Sequence, residues 1–177
     1  MPINMQILVS IMMGSDSDLP VMQDAAQVLE ELGISSEMHV LSAHRTPEAV
    51  VAHVQEAQAK GVKVFICSAG MSAHLAGVVA AHTPLPVIGV PMGKSVAGVD
   101  ALFSTVQMPP GVPVATVAID GGKNAGILAA QIIGAGDESI RQRVVKYKEK
   151  CGLDVLAKDQ ALQEKGFKKY LEDAGLV

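Results

Sequence analysis

The stretch QILVSIMMGSDSDLPVMQDAAQVLEELG, residues 6–33, decides the fold class. Its first part, 6–12, is a short apolar run rich in Val, Ile and Met, too short for a buried helix and suited to a strand covered on both faces. Small and acidic residues follow, Gly14 to Asp18, and then apolar positions recur at helical spacing over 19–32. Asp18 stands where an N-cap belongs, Pro20 falls in the first turn, and Gly33 sits just past the end as a C′ residue. Strand, loop and helix within 28 residues make half of a strand–helix–strand unit.

The same alternation continues outward. Runs 36–41, 62–68, 87–90 and 114–118 read as further strands, and 47–59, 74–81, 98–107 and 124–134 as helices. Thr46-Pro47 repeats the helix-start pattern, and Gly61 repeats the helix stop. Such alternation predicts a parallel α/β sheet with right-handed crossovers. Beyond Gly134-Ala135-Gly136 the pattern changes. Two charged amphipathic helices, 139–151 and 154–171, are expected to form a helical extension (137–177) of a single domain spanning 1–177.

Composition narrows the function classes. A net charge of −4 argues against general attraction to nucleic acid or an anionic membrane surface. No uncharged run reads as a spanning helix, because the longest apolar stretches are broken by Pro, Gly and polar residues, and the residues 1–13 lack the basic flank of a signal peptide and read as a strand. Cys67 and Cys151 form no CxxC, and Cys67 fits a small core position, so a reducing cytoplasm is expected. Residues 137–177 hold 17 of the 32 charged side chains. The remaining 136 residues are therefore unusually apolar, which predicts a sizeable homo-oligomer that covers part of this surface with copies of itself.

In open α/β sheets, ligands bind beyond the carboxyl ends of the strands. Three loops are expected at that edge. In the first, Gly14 permits close backbone approach, Ser15 and Ser17 offer hydroxyls to an anion, and Asp18 can accept from ribose hydroxyls unless capping occupies it. A plain Ser/Asp-rich turn explains the same residues, and Asp16-x-Asp18 lacks the third ligand a metal needs. The second loop is Ser42-Ala43-His44-Arg45-Thr46-Pro47. Capping explains Thr46 and Pro47 but not His44 or Arg45, the only Arg before residue 141. A guanidinium fork suits phosphate, and an imidazole titrates where a general acid/base must. The third loop, 68–74, is rich in Gly, Ala and Ser. It supplies backbone N–H groups and space for a small anion or CO₂, or else serves close helix–strand packing. His74 either closes a pocket there or starts a helix. His39, His53 and His82 are expected at surface or satisfied polar positions. No Gly-x-Ser-x-Gly elbow, GxGxxG or GxxxxGK[ST] is present.

With these residues laid out, the chain closely resembles the PurE family of purine biosynthesis. The matches are Met13-Gly14-Ser15-Asp16-Ser17-Asp18, Ser42-Ala43-His44-Arg45-Thr46-Pro47, Ala73-His74-Leu75 with Gly77, 85–91 and 107–116. They span about residues 7–131, and the tail is compatible with them. The resemblance implies a three-layer flavodoxin-like subunit with helices on both faces of the sheet. It also implies an octamer whose C-terminal helices extend to neighbouring subunits, and neither metal nor organic cofactor. The implied reaction is a mutase step, N5-carboxyaminoimidazole ribonucleotide to 4-carboxy-5-aminoimidazole ribonucleotide by decarboxylation and recarboxylation at C4. A functional link to the synthetase that makes the N5-carboxy substrate follows from it. By motif position, His44 carries the proton, Ser15, Ser42 and Arg45 hold the phosphate, and Asp18 the ribose. Gly70, Ala73 and His74 belong to the loop over the CO₂.

Related enzymes of a second class carboxylate aminoimidazole ribonucleotide directly with CO₂. Arg45 and His74 look like the mutase class, because the direct carboxylases tend to carry Lys and a non-His residue there. Met71 and Ala76 depart from the family pattern, which has Gly and Pro at those places. A flavin-binding electron carrier also uses a hydroxyl-rich first loop, but a chain with no Trp and 3% aromatic residues has little to sandwich an isoalloxazine.

Overall fold

The computed structural model describes residues 6–176. The elements run β1 (Val9–Met13), α1 (Leu19–Glu31), β2 (Ser36–Val40), α2 (Pro47–Lys60), β3 (Val64–Gly70), α3 (Leu75–Ala81) and β4 (Val87–Met92). They continue with α4 (Val99–Val106), β5 (Ala115–Thr116), α5 (Gly122–Gly134) and α6 (Glu138–Asp173). All strand pairs are parallel, in the order β2-β1-β3-β4-β5. That order is the flavodoxin-like doubly wound one.

Every residue of β1 and β4 is buried, as expected of strands covered on both faces. One core layer packs Ile11, Met13, Ile66 and Ile88 under α1, α5 and α6. The other packs Met12, Phe65 and Cys67 under α2 and α3. Each such fully buried large side chain contributes about 1.5–3 kcal/mol. The α1–α5 contact depends on glycine. A Cβ on Gly126 would lie 2.7 Å from the Ala25 carbonyl oxygen, so the two backbones can only meet this closely without one.

Three expectations need correction. β2 is not buried on both faces. It is the sheet edge, and its residues are half-exposed. The tail is not two helices parted near residue 152. α6 is continuous through Gly152 and breaks at Gly166, whose φ of 70° and ψ of 158° are non-helical. Only its beginning is packed, through Ile140 and Val144. Asp18 does not cap α1 with its side chain. The reading of residues 1–5 as strand lies outside the described residues. Elsewhere the element ends differ by a few residues; β3 and β4 run on to Gly70 and Met92, and β5 shrinks to two residues. No described helix is long and apolar enough to cross a membrane.

Candidate active site

Parallel strands that start at one edge must all end at the other, so the loops after β1, β2, β3 and β4 share the carboxyl edge. They enclose a cavity of about 650 Å³, within the usual range for a small-ligand site. Gly14, Ser15, Ser17 and Asp18 line it from the first loop, and Ser42, Ala43, His44 and Arg45 from the second. The third contributes Ala69 to Ser72, His74 and Leu75, and Lys94 enters after β4. Of the residues singled out from sequence, Ser15, Asp18, Ser42, His44, Arg45, Gly70 and His74 meet here. Ala73 is buried beside the cavity rather than lining it, its N–H donating to the Met71 carbonyl at 2.9 Å.

The first loop is a short 3-10 turn, Asp16–Asp18, capped by Ser15, whose hydroxyl accepts from Ser17 N at 3.3 Å and from Ser17 Oγ at 3.0 Å. The Asp18 carboxylate makes no capping bond to α1 and turns into the protein instead. It is buried, accepts from Ser68 Oγ at 3.3 Å and from Ser17 Oγ at 3.4 Å, and faces Lys94 Nζ at 3.7 Å. Burial pushes its pKa above the ordinary value, although Lys94 and the two hydroxyls pull the other way.

The second loop is closed by Thr46, whose Oγ1 accepts from Ser42 N at 3.0 Å and donates to Ser42 O at 3.1 Å. This turn leaves Ser42 Oγ to accept from Arg45 N and Nε at 3.3 and 3.4 Å, while Arg45 Nη2 donates to the Gly14 carbonyl. The guanidinium is thus tied across both loops at the cavity mouth. His44 sits beside it, with its ring centroid 6.4 Å from that of His74 on the third loop.

Lys94 is the residue that sequence reading missed. Its ammonium donates to Ser17 O at 2.7 Å. Two clues were available: β4 ends at the same edge as the other strands, and Lys94 is one of only five Lys and Arg among the first 136 residues. Its loop is fastened by Asp120, whose carboxylate accepts from Gly93 N at 2.9 Å.

Backbone strain gathers at this edge. Met71 has φ 57°, and Val96 and Ala97, just past Lys94, have φ 43° and 52°. Non-glycine residues there cost about 1–3 kcal/mol each, and such costs persist where the surrounding structure imposes them. Met71 stands where the family pattern has glycine, which enters this region freely.

The shared cavity brings together serine hydroxyls, a tethered guanidinium, a buried carboxylate and two imidazoles, groups able to hold an anion and move a proton. A family model described as AIR carboxylase matches residues 8–152. The N5-carboxyaminoimidazole ribonucleotide mutase of Thermotoga maritima is 54% identical over 92% of this chain and 96% of its own length. The phosphoribosylaminoimidazole carboxylase of Saccharomyces cerevisiae is 50% identical over 94% of this chain, which spans 29% of that protein. The crystal structure of Treponema denticola PurE superposes with a TM-score of 0.80 at 35% identity, over 88% of this chain and 98% of that one. Fold, cavity and sequence thus agree, and the chain belongs to the AIR carboxylase family.

Proposed function

We propose that this chain is the mutase of purine biosynthesis that converts N5-carboxyaminoimidazole ribonucleotide to 4-carboxy-5-aminoimidazole ribonucleotide, and that His44 carries its proton. The observation that carries this reading is the single cavity in which His44, Arg45, Ser15, Ser42 and Asp18 meet, drawn from loops far apart in sequence.

Arg45, Ser15 and Ser42 hold the substrate phosphate at the mouth, where a planar fork and two hydroxyls match its oxygens. Asp18 accepts from the ribose hydroxyls, and Lys94 neutralises it when it is ionised. Protonated His44 gives its proton to N5 as the N5–carboxylate bond breaks, and CO₂ leaves. Ring carbon C4 then attacks that CO₂ and forms the new carbon–carbon bond. Neutral His44 removes the C4 proton, which restores the aromatic ring and the starting imidazolium. Protons balance over the cycle. The loop 70–74, with His74, keeps CO₂ against the ring. Such proximity contributes up to about 7–11 kcal/mol in ideal cases.

The same reading includes a homo-octamer in the cytoplasm, linked in function to the synthetase that makes the N5-carboxy compound. Its support is the apolar surface that one subunit leaves uncovered: Val99, Phe103 and Val106 on α4, and Leu153, Val155, Leu156 and Phe167 on α6. Analytical ultracentrifugation is expected to give eight copies, and a monomer would overturn the assembly.

The reaction is tested by supplying the N5-carboxy compound in one arm and aminoimidazole ribonucleotide with bicarbonate in another. Fast turnover is expected in the first arm. Turnover only in the second would favour direct carboxylation, the reading suggested by the carboxylase name of the yeast relative.

A further inference from the structure

A second group of titratable side chains lies off the cavity, on the flank of the sheet. Glu37 and His39 are alternate residues of β2, so both side chains leave the same face of that edge strand. His53, on α2, meets them there, and Ser10, the ladder partner of Glu37 on β1, reaches His53 Nε2 at 2.8 Å. Glu37 Oε2 lies 3.5 Å from His39 Nε2, and Glu37 Oε1 lies 3.7 Å from His53 Nε2. The two rings are 4.0 Å apart at their centroids. One ligand atom from each of the three side chains falls within 4.8 Å of the other two. His39 Nε2 is buried yet makes no hydrogen bond.

Ligand atoms about 2.0–2.1 Å from a tetrahedral ion stand about 3.3–3.4 Å apart. The carboxylate–imidazole gaps here are already close to that. Buried ring nitrogens are usually hydrogen-bonded, whereas His39 Nε2 has no such partner and lies 3.5 Å from a Glu37 carboxylate oxygen.

We propose that Glu37, His39 and His53 form a divalent-metal site of the zinc class, separate from the nucleotide cavity. Two imidazoles and one carboxylate suit Zn²⁺ and leave a fourth position to water. Binding exchanges the Ser10 hydrogen bond on His53 Nε2 for a coordinate bond and releases any proton on either ring. The bound ion clasps β2 to α2, the two elements that flank the loop carrying Ser42, His44 and Arg45. It braces that loop from outside and takes no part in the reaction.

The test titrates chelator-treated full-length protein with Zn²⁺ by calorimetry and counts bound metal after gel filtration. Co²⁺ as a second probe reports geometry through its visible absorption. One Zn²⁺ per chain and tetrahedral Co²⁺ bands are expected. His39→Val and Glu37→Gln should each weaken Zn²⁺ at least about 100-fold, since even outer-shell losses cost 10–100-fold, and both should keep wild-type turnover and circular dichroism. His44→Asn should still bind one Zn²⁺ per chain. Binding below one equivalent, unchanged affinity in His39→Val with Glu37→Gln, or loss of the ion in His44→Asn would each overturn the site.

Discussion

Two histidine pairs in this chain sit in contrasting places. His44 and His74 are exposed, lie at the carboxyl edge of the sheet, and face a cavity with their rings 6.4 Å apart. His39 and His53 are packed ring to ring at 4.0 Å on the flank, against Glu37 and Ser10. The first pair has room for a substrate between and around it. The second is closed up by its own neighbours, with its ligand-bearing atoms within 4.8 Å of one another. Residue type is the same in both; the position along a parallel strand decides what each can do, because only strand ends open onto free volume while strand middles face a helix.

The contrast is tested most severely at His44. His44→Asn is expected to lower kcat at least about 100-fold, the usual scale for losing a general acid/base, with His39→Val staying close to wild type in the same steady-state assay. Comparable losses in both variants would erase the distinction between the pairs.

Arg45→Ala is next. Removing one charged hydrogen-bonding group from a ligand contact costs about 1.5–3 kcal/mol, or about 10–150-fold. The loss should fall mainly on KM, because the phosphate is held equally in ground and transition states. A kcat effect with KM unchanged would place Arg45 at the reacting carbon instead of the phosphate.

Asp18→Asn should separate binding from stability. Burial raises the Asp18 pKa above 3.8, so the folded protein holds that proton more tightly than the unfolded chain. Ionising it therefore costs stability above the folded pKa. The variant is expected to have the higher Tm at neutral pH. Its advantage should shrink as pH falls through the raised pKa and vanish below 3.8. KM for the ribonucleotide should rise in parallel. A lower Tm at neutral pH would mean that the Lys94 and Ser68 contacts outweigh desolvation.

The smallest effect is expected at Met71. Its φ of 57° costs about 1–2 kcal/mol for a residue with a Cβ, against which glycine brings about 0.5–1 kcal/mol of extra unfolded-state entropy. Met71→Gly should gain at most about 1.5 kcal/mol in urea unfolding. A clear destabilisation would show that the exposed methionine side chain holds the loop over the cavity.

Much of the α/β alternation was legible because each strand and helix carries its own period. The second loop was legible because capping explains Thr46 and Pro47 but not His44 or Arg45, whereas the first loop's Gly14 and Ser15 also fit a plain turn, and Ser15 does cap one. Other features were not. Asp18 stands at the N-cap of α1, yet its side chain makes no capping bond there, while Ser15 caps the 3-10 turn just before it; two hydroxyls and two carboxylates compete within that turn and only packing chooses among them. Lys94 was overlooked because its partners, Ser17 and Asp18, lie about 77 residues away in the chain. The break in the tail falls at Gly166 and not between 151 and 154, because the open space around Gly152 lets the helix run through that glycine, while Gly166 takes a non-helical φ of 70°. The sequence gives no sign that His39 and His53 meet, since a strand residue and a helix residue 14 positions apart have no periodic relation.

By itself, then, the order of residues determined which segments become strands and helices and which chemical groups stand at their ends, because those depend on local period, capping and turn chemistry. The tertiary structure alone decided that β1 lies between β2 and β3, that Arg45 crosses to Gly14, and that Asp18 meets Lys94. Those outcomes depend on which faces are buried together, a free-energy balance over contacts between distant segments that no local pattern encodes.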